Sequence, residues 1–192
     1  MERNEAVPAL TRDHVDEILD EWRVARPEVD VSAQGIVGRV LRLSRYFERD
    51  LAETFGAFGI RGGEFDVLAT LRRTGGPSGL PASELASRCM LSTAAMTNRL
   101  DGLEGRDLVR READGADRRV VRISLTPAGE ALIDEAFPRH AANQQKMVDG
   151  LSREEREGLA AVLRRLLSAY EEGSPETPTR SRGERPIGAA RG

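Results

Sequence analysis

Between Thr11 and Ala25 the apolar residues Val15, Ile18, Leu19 and Trp22 recur at three- and four-residue steps. Asp13, Asp16, Glu17, Asp20 and Glu21 fill the positions between, so the pattern predicts an amphipathic acidic helix with Thr11 as its N-cap. Pro27 and the polar run "PEVDVSAQG" end it. Ile36, Val40, Leu43, Phe47, Leu51 and Phe55 predict a second, longer helix punctuated by Gly59, and "RGGEFDVLATLRRTG" predicts a third ending near Gly75. After a loop rich in Gly and Pro, two short helices are expected at Ala82 to Arg88 and Thr93 to Gly105, joined by "CMLS", with Ser92 capping the second.

The period then changes from helical to alternating. "DLVRRE" and "RRVVRISLT" are β-rich runs on either side of "ADGAD", whose Asp-Gly pair favours a turn, so they predict a β-hairpin. Thr126 as N-cap and Pro127 at the first helical position, where a missing N–H costs nothing, start another helix. Pro138 is expected to kink or interrupt it. "SREEREGLAAVLRRLLSAYEEG" opens with a capping box, Ser152 and Glu155, and places Leu159, Val162, Leu163, Leu166 and Leu167 on one stripe. From residue 173 on, apolar side chains almost disappear while Pro, Gly and Arg accumulate, which predicts a disordered tail over 173–192.

Short helix, tight turn, second helix and hairpin, in that order, form a winged helix-turn-helix. The expected fold is mainly α with a small β-hairpin wing. Its parts are an extra N-terminal helix (1–30), helical regions at 31–60 and 126–172, and a winged helix-turn-helix at 61–125.

Charge sharpens this picture. The formal net charge is −3, yet residues 72–122 hold about ten Arg against about seven Asp plus Glu, while residues 1–30 are acidic. The negative sum conceals a basic segment. No apolar run approaches the roughly 18 to 20 residues needed to span a bilayer, and the charged N-terminus lacks a signal peptide's apolar centre, so a cytoplasmic location with no membrane association is expected. One cysteine, Cys89, builds neither an internal disulfide nor a zinc site, and His14 and His140 lack ligand spacing. Nothing pairs a nucleophile with a base or makes a phosphate-binding glycine loop. Neither enzymatic activity nor a cofactor is expected.

On B-DNA the second helix of the pair enters the major groove while the hairpin reaches phosphates or the minor groove. Ser92, Thr93, Thr97, Asn98 and Arg99 are the expected polar contacts of the recognition helix, whose apolar Ala95, Met96, Leu100 and Leu103 turn inward. Arg118 and Arg119 fall at the hairpin tip, where a guanidinium meets the enhanced negative potential of a narrow minor groove. Asp117 beside them is expected to pair with an arginine and brace the wing. The rival reading is a winged-helix protein-interaction module without specific DNA binding, in which the acidic first helix docks a partner.

From about Ile36 to Tyr170, and most sharply through "SELASRCMLSTAAMTNRLDGLEGRDLVRREADGADRRVVRISLTPAGEAL", the chain resembles the MarR family of bacterial transcriptional regulators. That resemblance implies a homodimer whose first and last helices interlock, making 31–60 and 126–172 the dimerisation region. It also implies binding of a pseudo-palindromic double-stranded operator, usually as a repressor released by a small ligand. The added first helix is similar to that of MarR-type regulators responding to urate or related anions. Those carry a Trp in the extra helix, an Asp before the DNA-reading pair, an Arg in the recognition helix and an Arg on the first wing strand. Trp22, Asp66, Arg99 and Arg111 match by type, with Arg110 as the alternative for the last. By this resemblance the ligand is a small anion such as urate or a carboxylate. Plainer roles stand beside these: core packing for Trp22, a structural cap or ion pair for Asp66, a phosphate contact for Arg99, and a small buried residue rather than a peroxide sensor for Cys89.

Overall fold

The computed structural model describes residues 11–76 and 78–173. The expected tail lies outside the described residues except for Gly173, the last residue of its helix. The chain divides into two compact units, residues 1–147 and 148–192.

The first helix, α1 (His14–Ala25), starts later than expected because Asp13 rather than Thr11 caps it. Asp13 Oδ1 accepts from the Val15 and Asp16 amides, and the Asp16 carboxylate accepts from the Asp13 amide, so two unpaired donors are met reciprocally. An aspartate at the positive end of a helix also interacts well with its dipole, which a threonine cannot do. α2 (Ser32–Gly56) begins one turn before the first residue of the predicted pattern. Arg39 ties α1 to it, donating to Asp13 and Asp16 at 2.8 Å each and to the Gly35 carbonyl at 2.9 Å. Beneath this network Val15, Leu19 and Val31 form a small apolar cluster of their own.

α3 (Gly62–Thr70) continues into a single π-helical turn, Leu71–Gly75. α4 (Ala82–Arg88) and α5 (Thr93–Glu104) are the helix-turn-helix pair, and Ser92 caps α5 by accepting from the Ala95 amide at 3.2 Å. The main core lies under this pair, with Phe65, Val67, Leu68, Leu85, Met96, Leu100, Leu103, Val109, Ile123 and Ile133 all buried.

The wing is a three-stranded antiparallel sheet rather than a bare hairpin. β1 (Leu80–Pro81) pairs with β3 (Val121–Leu125), and β3 pairs with β2 (Val109–Ala113), in the order β1-β3-β2. Gly79 permits the first pairing: its φ of +64° suits a residue without Cβ, and a Cβ there would lie 2.1 Å from the Ile123 carbonyl oxygen. The connection between β2 and β3 is a seven-residue loop, 114–120, closed by the Asp114 amide donating to the Val120 carbonyl. A two-residue Asp-Gly turn does not form, because Asp114 uses its carboxylate to organise a wider loop.

α6 (Pro127–Met147) starts as expected, with Thr126 Oγ1 accepting from the Gly129 amide at 3.0 Å. It runs unbroken through Pro138, against expectation. Pro138 lies on the exposed side, where water can satisfy the Asp134 carbonyl that a proline leaves without its helical partner. In the second unit, α7 (Arg153–Gly173) opens with the Ser152–Glu155 capping box, and its stripe of Leu159, Val162, Leu163, Leu166 and Leu167 is exposed.

Candidate nucleic-acid interface and ligand cleft

α5 carries its polar residues outward. Ser92, Thr93, Thr97 and Asn98 are exposed, while Met96, Leu100 and Leu103 are buried, so the helix is anchored along one stripe and presents the other. Thr97 also donates back to the Thr93 carbonyl at 2.9 Å, leaving its oxygen free to accept. The preceding turn contains a residue that the sequence pattern passes over: Met90 has φ +51° and is 89% exposed, so it projects its thioether beside the start of α5.

Two arginines fix the orientation of this helix. Arg106 donates to Glu64 at 2.6 Å, to the Gly59 carbonyl at 2.7 Å and to the Gly102 carbonyl at 3.0 Å, binding the end of α5 to the start of α3. Arg111, on β2, reaches Asp101 and Glu104 at 2.7 Å each, clamping the wing to the flank of α5. Neither link was legible in spacing, since both join residues far apart along the chain or across elements.

The wing tip keeps its two arginines outward. Arg118 is exposed, and the Arg119 side chain, 91% exposed, pairs with Asp117 at 3.1 Å. The expected brace is therefore present, but a stronger one was missed. The Asp114 carboxylate binds the Arg122 guanidinium and accepts from the Ala116 and Asp117 amides at 2.8 and 3.2 Å. Arg122 in turn donates to the Gly79 carbonyl at 3.0 Å, joining the loop to β1. The Arg122 ion pair, then the two amides, hold the Asp114 pKa down at about 2 against an ordinary 3.8. A depressed folded-state pKa contributes stability above the unfolded value and loses it as pH falls through the folded one. The wing loop is thus expected to keep its shape down to pH 4 and to loosen toward pH 2. Asp114→Asn should show the loosened Ala116 and Asp117 amide signals by NMR already at pH 7.

Arg99 lies elsewhere than the groove-facing residues. A Cβ on Gly63 would come within 2.4 Å of the Arg99 guanidinium carbon, so that side chain turns back over α3 and lies against the bare backbone of Gly63. It sits there beside Asp66. Asp66 is exposed as a residue, but desolvation by its neighbours still raises the pKa of its carboxyl, and the opposing pulls come from Arg99 first and His140 second. Cys89 adjoins the same group, its thiol donating to Thr70 Oγ1 at 3.7 Å and to the Asp66 carbonyl at 3.9 Å, and burial pushes its pKa up. A raised pKa disfavours the thiolate, which fits the small-buried-residue reading of Cys89 better than a reactive one.

An open cleft of about 340 Å³ lies against Asp66, lined by Glu48, Ala52, Phe55, Gly62, His140 and Gln144 among others. The His140 ring stacks on Phe55 at 5.4 Å between centroids and tilts against Phe65 at 4.5 Å, and its Nδ1 is buried without a hydrogen-bond partner. Its pKa is lowered by burial, in part offset by Asp66. The cleft thus combines two carboxylates, Glu48 and Asp66, with an imidazole and an apolar wall, and Arg99 is not among its lining residues. Of the four residues assigned to an anion site, the fold brings Arg99 to Gly63, one turn of α3 before Asp66, near enough for charge to act between them but without an ion pair. Arg111 engages the face of α5 that bears Thr97, Asp101 and Glu104, roughly opposite the side of Arg99 at 100° per residue. Arg110 points away from both, donating to Ser124 at 2.9 Å. Trp22 is 44% exposed on α1.

A recognition helix pinned between α3 and a wing, with a cationic wing tip, defines a winged helix-turn-helix regulator of transcription. Residues 62–121 match the MarR family. Across 152 residues the chain is 36% identical to the HTH-type transcriptional regulator PecS of Dickeya dadantii, covering 79% of this chain and 92% of that one. The protein belongs to the MarR family. Among solved structures it is similar to the MepR–DNA complex of S. aureus, with a TM-score of 0.63 and 25% identity over 74% of this chain and 99% of that one. It is also similar to BpsR of Bordetella bronchiseptica, whose structure concerns regulation of DNA binding by 6-hydroxynicotinic acid, with a TM-score of 0.60 and 27% identity over 68% of this chain and 97% of that one. These relatives are regulators, not enzymes, and the reading as a protein-interaction module is not favoured. No described helix is long and apolar enough to cross a membrane.

Proposed function

We propose that the protein is a homodimeric repressor that binds a pseudo-palindromic operator and is released from it by a small planar anion, urate-like or a carboxylate, taken up at the cleft lined by Asp66 and His140. Ser92, Thr93, Thr97 and Asn98 meet the major groove, and Arg118 and Arg119 the minor groove or its phosphates. Two exposed apolar stripes support self-association: one on α2, with Ile36, Val37, Val40 and Leu41, and one on α7. The relatives named above support the DNA and ligand parts, since MepR is seen with DNA and BpsR is regulated by an aromatic acid.

The observation that carries this reading is the position of Arg99, which belongs to the recognition helix yet packs its guanidinium on α3 beside Asp66. An anion entering the cleft competes with Asp66 for that guanidinium through charge-assisted hydrogen bonds. A shift of Arg99 is a shift of α5. Two recognition helices must stay about one DNA turn apart, roughly 34 to 36 Å, so a small displacement lowers operator affinity. The test is DNA release by urate and by 6-hydroxynicotinate, followed by fluorescence anisotropy. Wild type should release operator DNA with one of them. With the competing carboxylate gone, Asp66→Ala should need about tenfold less ligand, a change near 1.4 kcal/mol, while binding DNA alone about as well as wild type. An unchanged ligand requirement in Asp66→Ala overturns the site.

A further inference from the structure

α4 ends in a turn that glycine usually serves. The Leu91 amide donates to the Ala86 carbonyl at 2.9 Å and the Met90 amide to the Ser87 carbonyl at 3.1 Å, the paired bonds of a Schellman motif. Such a motif needs a left-handed residue just past the end of its helix. Met90 takes that place, with φ +51°. Glycine would fill it without strain, whereas any side chain there brings Cβ toward the following carbonyl oxygen. The strain is not offset in the core: Met90 is more exposed than any other large apolar residue among those described. Its neighbours in the turn behave otherwise, since Cys89 and Leu91 both pack against the core.

Position decides what such a side chain can do. Met90 stands two residues before Ser92, the N-cap of α5, and the N-terminal residues of a recognition helix are the ones that meet base edges. The outward residues Ser92, Thr93, Thr97 and Asn98 are hydroxyls and an amide, suited to hydrogen bonds with bases or phosphates. A thioether is a poor partner for either. It meets apolar surface well, and the major groove offers one apolar group at a base edge, the C5 methyl of thymine. Contact between the two removes both from water.

We propose that Met90 is a specificity residue of the helix-turn-helix, setting its thioether against the methyl group of a thymine in each operator half-site. The inference rests on the reading of α5 as the helix in the major groove, and it adds a reader that lies outside that helix. It gives a reason for a large side chain on a left-handed backbone, because glycine would suit the turn and read nothing. The contact involves no charge, so it selects a sequence without adding to the salt dependence of binding.

The test uses the full-length protein and a duplex from the promoter region beside its own gene. Each thymine of the bound sequence is replaced in turn by deoxyuridine, in both half-sites at once. Deoxyuridine keeps its hydrogen bonds to adenine and lacks only the methyl. At one position wild-type affinity is expected to fall about tenfold, roughly threefold for each methyl group taken out of contact. Met90→Gly should bind the thymine duplex about tenfold more weakly than wild type and lose nothing further with deoxyuridine at that position. Met90→Leu keeps an apolar side chain and should keep most of the sensitivity. Because glycine relieves the left-handed turn, the thermal midpoint of Met90→Gly should be unchanged or higher, which separates weaker binding from unfolding. If wild type binds the duplex with its salt dependence but no thymine position is sensitive, the DNA reading stands and the assignment of Met90 is overturned. The assignment is also overturned if deoxyuridine weakens Met90→Gly as much as wild type, since another group then reads the methyl. Absence of any duplex binding overturns both.

Discussion

Gly129→Ala should lower stability by about 3 kcal/mol or more. A Cβ at Gly129 would stand 1.9 Å from the Leu108 carbonyl oxygen and 2.9 Å from its carbon. These are backbone atoms, so no rotamer change relieves the overlap. Nor can the start of α6 slide away easily. Thr126 Oγ1 accepts from the Gly129 amide and donates to the Asp107 carbonyl, and the Thr126 amide donates to that same Leu108 oxygen at 3.2 Å. Moving α6 would break this junction and disturb Val109 and Ile133, both buried in the core. In urea the midpoint should fall with little change in slope. A loss within 1 kcal/mol would contradict the packing described here. Gly158→Ala is the matched control: nothing lies within 4 Å of its added Cβ, so the helix propensity of alanine should make it neutral or slightly stabilising.

Arg118→Ala with Arg119→Ala should reduce operator affinity by on the order of a thousandfold at 0.1 M salt without affecting the fold. Each neutralised phosphate contributes about −0.9 to the slope of log affinity against log salt, so four wing arginines in a dimer account for about −3.6. Both side chains are exposed, and Arg119 makes only a surface pair with Asp117, so removing them leaves the Asp114–Arg122 brace standing. The thermal midpoint should therefore move by only a few degrees. Anisotropy titrations at several salt concentrations separate this result from a general weakening, because the slope itself must flatten. An unchanged slope would mean that the wing tips do not meet DNA.

Much of the fold was legible because short-range chemistry decided it. Ser92, Thr126 with Pro127, and Ser152 with Glu155 each satisfy helix ends locally, and the switch from helical to alternating periodicity marks the wing. What escaped depends on groups brought together from a distance. β1 is two residues long, one of them a proline, and is a strand only because β3 lies beside it. Asp114 rather than Asp117 is the stronger wing brace because Arg122 returns to it across the hairpin, a register that the Asp-Gly pair alone does not specify.

The site divides in the same way. Asp66 and Arg99 were named together, and Arg99 lies on α3 against Gly63, one turn before Asp66, without an ion pair between them. The inward turn of Arg99 had a signal: it follows Met96 by three residues and precedes Leu103 by four, which places it beside the buried stripe of α5. His140 had no such signal. Its buried Nδ1 emerges only where α6 crosses the Phe55–Phe65 pair. Matching residue types grouped Trp22 with them, but α1 carries it exposed and it does not line the cleft.

The central claim is that this is a regulator that binds duplex DNA through the outer face of α5 and the wing. Its most direct test is an anisotropy titration of the wild-type protein against a duplex from the promoter region beside its own gene, between about 50 and 200 mM salt. Saturable binding that weakens linearly in log salt is expected, with a slope several times that of one phosphate. No binding to that duplex at the lowest salt would contradict it.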